Sequence, residues 1–271
     1  MKATIIIDNI SHDNLSCEWG LSVHISHNDV NILLDTGTTG IFANNAKELG
    51  IDLSNVDYAV LSHAHYDHAD GMEEFFKNNS KAGFYIRRGI SENCYRRKSL
   101  FKHKYIGIKQ GYLQEFKDRI VYVDGDYKLA EGVYLIPHKT PNLSKIGKKA
   151  HMYVRKNNRW CPDDFSHEQS LVIDTDKGLV IFNSCSHGGA DNIINEVAST
   201  FPNKKIYGII GGFHLFESTD KAVVALAKRI KETGIQQVIT GHCTGQHAFD
   251  ILKENLGNCV QQIYCGMVIE V

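Results

Sequence analysis

The 271-residue chain has no apolar run of membrane-spanning length, no excess of charge of one sign and no paired cysteine framework. A bilayer span needs about 20 consecutive apolar residues, and the opening Ile5-Ile6-Ile7 run is too short even for a signal peptide. Thirty basic against 31 acidic residues leave a net charge of −1, so no global field draws the chain to nucleic acid or an anionic membrane. Seven cysteines make an odd number without framework spacing, which favours a reducing compartment over a disulfide scaffold. Low-complexity runs and short-period repeats are also missing. What remains is the expectation of a cytoplasmic protein, 42% apolar and 23% charged, long enough to bury one sizeable core.

Against that plain background, Ser62-His63-Ala64-His65-Tyr66-Asp67-His68 stands out, because four metal-ligand side chains fall within six residues as H-x-H-x-D-H. The motif follows Tyr58-Ala59-Val60-Leu61, an apolar run that reads as a buried strand. Its ligands therefore sit on the loop at a strand's carboxyl end, where open α/β sheets bind their ligands. In an extended segment His63 and His65 point the same way. Asp67 and His68, beyond a bend, face a second point nearby. A solvated charged loop has no reason to repeat imidazole in this way, and metal binding explains it.

The first third of the chain alternates strand-like and helix-like pieces. Thr4 to Ile7, Leu21 to Ile25 and Asn31 to Leu34 read as strands, and Ile41 to Leu49 as a helix closed by Gly50. A further helix is expected around Met72 to Lys77. The last third repeats the rhythm: a hairpin from Ser170 to Phe182 turning at Asp176-Lys177-Gly178, a strand from Ile206 to Ile210, a helix from Lys221 to Lys231 capped by Asp220, and a strand from Gln237 to Thr240. Between them, residues 87–165 carry Arg96-Arg97-Lys98 and Lys102-His103-Lys104 interleaved with tyrosines. This segment reads as an irregular basic insertion over the site of one domain spanning 1–271.

Three more strand ends offer ligands: Cys185-Ser186-His187 after the Leu179 strand, Phe213-His214 after the Ile206 strand, and Gly241-His242-Cys243 after the Val238 strand. Strand ends on one sheet edge converge in space, so the repeated placement carries more weight than any single histidine. His242 and His187 read as ligands, with His187 alternatively a general acid or a turn histidine. His214 reads as a ligand, a substrate contact or a capping group, and Cys185 as a small buried hydrophobe or a ligand. Asp35, at another strand end, suits the support of a ligand imidazole. The other seven histidines, His138 among them, have surface or core roles by default.

These residues together resemble the metallo-β-lactamase superfamily. H-x-H-x-D-H after a strand, an earlier strand ending in Leu34-Asp35-Thr36-Gly37 and the late Gly241-His242 carry the resemblance over nearly the whole chain. It implies an α/β fold, an αββα sandwich, with one or two divalent metals at one edge: zinc first, iron or manganese as alternatives. By the resemblance His63 and His65 hold the first metal, Asp67, His68 and His242 the second, and Asp35 supports the shell. Thr240 to Gly245, Gly211 to Leu215 and Cys185 to Gly189 resemble more narrowly the branch of 7,8-dihydropterin-6-methyl-4-(β-D-ribofuranosyl)aminobenzene 5′-phosphate synthases. The chain departs from the superfamily at two places. Phe165-Ser166-His167-Glu168 offers only His167 and Glu168 where a histidine is usual, and Ser184-Cys185-Ser186-His187 lacks the bridging aspartate.

The chemistry implied is metal activation of water for hydrolysis, or assistance to a leaving group for synthesis. Asp67 and His187 are the candidate catalytic groups. Arg96 and Arg97 suit a phosphate and the neighbouring tyrosines a flat heterocycle, so the expected partner is a small anionic molecule rather than nucleic acid or membrane. Two other classes remain at this level: a di-iron redox protein on the same scaffold, and a metal-binding sensor without catalysis.

Overall fold

The computed structural model describes residues 1–12, 14–99 and 101–271. Two seven-stranded sheets stack face to face. The first runs in the order Val268–Glu270, Lys2–Ile7, Ser22–His27, Val30–Leu34, Tyr58–Val60, Gly83–Arg87, Ile120–Val123. The second runs Val260–Gln262, Gln237–Thr240, Ile206–Gly211, Gly178–Phe182, Gln169–Thr175, Val133–Pro137, Tyr127–Ala130. Each sheet joins an antiparallel half to a parallel half.

Strand alternation builds the layers. Ile32 and Leu34 enter the core between the sheets with Val60, Leu171, Phe182 and Ile239, while Leu33 between them faces outward to Phe42 and Phe75. Helices Ile41–Glu48 and Met72–Asn78 cover that outer face. The outer face of the second sheet is covered by Ala190–Thr200, Asp220–Glu232 and Gln246–Leu256, through Ile193, Val223, Leu226 and Leu252. Over the central strands of each sheet both faces are therefore dry, which is why those strands read as continuous apolar runs. Each fully buried large side chain stabilises the sandwich by about 1.5–3 kcal/mol. The result is the expected αββα arrangement.

Two expectations are corrected. Residues 87–165 are not one irregular insertion: Ile120–Val123 closes the first sheet, and Tyr127–Ala130 and Val133–Pro137 extend the second. These strands are short and carry tyrosine and lysine at their half-buried positions, which hid their alternation. The remainder forms a regular four-stranded antiparallel sheet, Arg159–Pro162, Met152–Lys156, Cys94–Arg97, His103–Tyr105. The second correction concerns helix Asp220–Glu232, whose N-cap is Thr219; Asp220 instead contacts His247 Nε2 at 2.8 Å. Among the described residues no helix is long and apolar enough to cross a membrane.

The small sheet is fastened over the motif loop. Tyr66 N–H donates to the Ile106 carbonyl at 3.1 Å, and His65 bridges to Gly107.

Candidate metal centre and its cleft

The loops that leave Val30–Leu34 and Tyr58–Val60 meet those that leave Gly178–Phe182, Ile206–Gly211 and Gln237–Thr240 at one edge of the sandwich. Asp35, Ser186, His214 and His242 adopt left-handed backbone there, with φ of 59°, 40°, 49° and 47°. Such conformations are costly for non-glycine residues and persist where packing enforces them. The loops approach backbone to backbone: a side chain at Gly211, itself at φ 140°, would strike the Asn183 carbonyl at 1.9 Å.

Asp35 is fully buried and organises the first loop. One carboxylate oxygen accepts the Ser62 amide at 2.7 Å; the other accepts the Ser62 hydroxyl at 2.7 Å and faces His68 Nδ1 at 2.8 Å. Because that hydroxyl donates to Asp35, it accepts from His63 Nδ1 at 2.8 Å. Both imidazoles are thereby held with the proton on Nδ1, and Nε2 of each is left as a bare acceptor. Asn9 does the same for His242, its side-chain oxygen lying 3.0 Å from Nδ1.

The rings converge. The His63 ring lies 4.6 Å from that of His65 and 4.9 Å from that of His187, and His65 lies 4.7 Å from His187. On the other side, Asp67 Oδ2 is 3.8 Å from His68 Nε2 and 3.5 Å from His242 Nε2. Cys185 Sγ is 3.3 Å from His68 Nε2. The Nε2 atoms of His63, His65 and His242 and both ring nitrogens of His187 are buried without a hydrogen-bond partner among the described residues. Each such orphan costs about 1–3 kcal/mol unless a ligand meets it. Donor atoms of ligands around one tetrahedral metal are roughly 3.4–3.6 Å apart at ordinary bond lengths. The orphaned nitrogens, the 3.3–3.8 Å spacings around His68 and the grouping of the His63 and His187 donors within 4.8 Å of Cys185 fit one or two divalent cations.

The electrostatics agree with that fit. Burial, then mutual repulsion among the rings, holds His63 and His187 well below the usual histidine range. Burial and the nearby His167 bring His65 down to about 3. These imidazoles are thus neutral, the form that ligates a metal. Burial opposes ionisation of Asp67, yet His68 and His242 beside it hold its carboxyl below the usual range. His242 is pushed up to about 9, the attraction of Asp67 outweighing burial; its proton stands where a cation would.

A cleft of about 200 Å³ opens onto this cluster, walled by Trp19, Ile106, Met152, Phe216 and His214, with Arg96, Lys98 and Lys104 at its mouth. The Trp19 ring lies edge-on to Phe216 at 5.7 Å and 5.2 Å from His242. Arg96 is anchored by Glu217.

The structure brings His63, His65, Asp67, His68, His187, His242 and Cys185 into one cluster, with Asp35 behind it. His214 borders it, its ring 4.3 Å from His187 and its buried Nδ1 without a hydrogen-bond partner among the described residues. Glu168 is not brought in: it faces His138 Nε2 at 3.3 Å, in a buried chain that continues from His138 Nδ1 to Glu196 at 3.0 Å. His167 lies behind His65, engaged by Asp163 and the Ala64 amide. Arg97 points away from the cleft onto Tyr153, since neighbours in a strand face opposite ways. The same alternation puts Lys98 on the side of Arg96, a signal the sequence reading did not use. Ser62, adjacent to the motif, was also missed. Asn9, Trp19 and Phe216 carried no sequence signal.

The layers, the H-x-H-x-D-H loop and the convergent strand ends give the chain a metallo-β-lactamase-type fold with a candidate metal site at one edge. The model of the metallo-β-lactamase superfamily matches residues 20–146. Over 254 residues, 88% of this chain and 84% of the relative, it is 28% identical to the 7,8-dihydropterin-6-methyl-4-(β-D-ribofuranosyl)-aminobenzene-5′-phosphate synthase of Methanocaldococcus jannaschii. Among solved structures it is similar to Tm1679, a metal-dependent hydrolase of the β-lactamase superfamily, with TM-score 0.83, 29% identity and coverage of 100% of this chain and 99% of that one. A diphosphatase from the PhnP family, 13% identical, shares the fold alone, with TM-score 0.55 over 100% of this chain and 97% of that one.

Proposed function

We propose that the protein is a metal-dependent enzyme, a hydrolase or synthase, that acts on a small anionic substrate carrying a phosphate and a flat ring. The observation that carries this reading is the set of buried, unpartnered imidazole nitrogens at the floor of a cleft with cationic and aromatic walls. His63, His65 and His187 would hold one divalent cation and Asp67, His68 and His242 a second, with zinc, iron or manganese compatible with these nitrogen and oxygen donors. Such a cation supplies Lewis acidity and lowers the pKa of water toward about 7.

The chain's own groups supply the rest. Asp67 orients the attacking group and takes its proton at a carboxylate oxygen. His214 lines the same cleft with a free Nδ1 and hands a proton to the departing oxygen. Arg96, with Lys98 and Lys104, binds the phosphate, and Trp19 and Phe216 bracket an apolar ring. The synthase name of the Methanocaldococcus relative favours a substrate with a pterin-like ring or a sugar phosphate and a bond-forming substitution.

The test is turnover of phosphodiesters, lactones and dihydropterin diphosphates by protein reconstituted with zinc, iron or manganese. Activity on one class that is abolished both by chelation and in His65→Ala is expected. Metal uptake without turnover of any of them would reassign the centre to sensing. Reversible one-electron spectra from an iron-loaded protein without turnover would reassign it to redox chemistry.

A further inference from the structure

Three trios of donor atoms at the centre share one residue: Cys185 groups with His63 and His187, with His68 and His242, and with His214 and Cys243. Those of His63, His187 and Cys185 lie within 4.8 Å of one another, and so do those of His68, His242 and Cys185. Cys185 is 3% exposed, at the end of Gly178–Phe182, between the two groups. Its Sγ is 3.3 Å from His68 Nε2, close to the roughly 3.6 Å separating a sulfur and a nitrogen on one tetrahedral cation. Nε2 of His63 and His242 and both nitrogens of His187 are buried and without hydrogen-bond partners among the described residues.

We propose that the Cys185 thiolate is a ligand shared between the two cations of the centre. The proposal rests on the metal-dependent reading above. The thiol loses its proton to solvent as the cations bind, and the sulfur lone pairs form one bond to each. Cys243 sits beside it but has another task. Its Sγ accepts the His214 amide at 3.2 Å and reaches the Cys185 carbonyl at 3.8 Å, tying the strand-end loops together. Gly212 lies so close that a side chain there would meet that sulfur at 2.5 Å. The two neighbouring thiols differ in their place: Cys185 belongs to all three trios, whereas Cys243 groups only with Cys185 and His214, at the side of the centre. A thiolate donor also shifts the preference of the centre toward zinc or iron and away from magnesium or calcium.

Titration of metal-free native protein with cobalt(II), followed by absorption, tests this. The expected result is a thiolate-to-cobalt charge-transfer band that grows through both equivalents. The band disappears in Cys185→Ser and Cys185→Asp and persists in Cys243→Ser. Cys185→Ser binds the second equivalent at least about tenfold more weakly. Two equivalents bound with no band overturn the proposal while leaving the metal-dependent reading intact. A band complete after one equivalent, or one lost only in Cys243→Ser, overturns it as well. A native protein that takes up no cobalt overturns both. Should a Cys185 variant fail to fold, the native titration and the Cys243→Ser control still decide.

Discussion

Asp35 and His68 meet across 33 residues of sequence, Oδ2 to Nδ1 at 2.8 Å, in a site that excludes water from both. The carboxylate also accepts the Ser62 amide and hydroxyl, so all its donors point inward from the motif loop. Asp35→Asn would keep the Ser62 amide bond but turn an NH2 toward His68, forcing the proton onto Nε2 where the cation belongs. Competition with a chromophoric chelator should show metal affinity weaker by about 10- to 100-fold. Affinity equal to native would remove Asp35 from any orienting role.

His187 stacks at 5.2 Å on Phe165 and, among the described residues, makes no hydrogen bond through either nitrogen. Its replacement by alanine should lower bound metal by about one equivalent per chain, or weaken its affinity at least tenfold. Elemental analysis of dialysed His187→Ala reads this directly. Full native content at native affinity would make His187 a packing residue.

Arg96 and Arg97 separate two roles that adjacent positions would otherwise blur. Losing a charge-assisted hydrogen bond costs about 1.5–3 kcal/mol, or roughly tenfold and more in affinity. Arg96→Ala should therefore raise KM for a phosphorylated substrate by about tenfold and leave metal content unchanged. Arg97→Ala, which removes only a contact to the Tyr153 ring, should leave KM within about twofold. Equal KM values for the two variants would put the phosphate elsewhere.

The buried chain Glu168–His138–Glu196 predicts a pH dependence of stability. Burial opposes the charge on His138, but the two carboxylates outweigh it and push its pKa up to about 10. The unfolded-state value is near 6.5. The stabilisation from this proton is therefore complete below about pH 6.5 and is lost as pH rises through about 10. His138→Ala should cost about 3–5 kcal/mol at pH 6, since it strands two buried carboxylates. Denaturant unfolding should show the gap to native narrowing towards pH 10. A gap independent of pH would mean that His138 is neutral in the folded protein.

The parts of the centre within one stretch of chain were legible in advance. H-x-H-x-D-H declares itself by composition and spacing, and the apolar run before it announces the strand that positions it. Glycine and histidine at later strand ends pointed, for the same local reason, to His187 and His242, which the fold brings to the same edge. Arg97 and Glu168 were misjudged because their types fit the chemistry while their directions did not. Strand alternation turned one away, and a partner 30 residues upstream, His138, claimed the other.

Residue order alone determined the sandwich, because buried strands need apolar runs and helices need a periodic face, and both are local properties. The tertiary structure decided how the donors group. Asn9 reaches His242 across 233 residues and Cys185 reaches His68 across 117, contacts that depend on two sheets stacking in one register. Such distances are set by packing of the whole core, and no neighbouring residue records them.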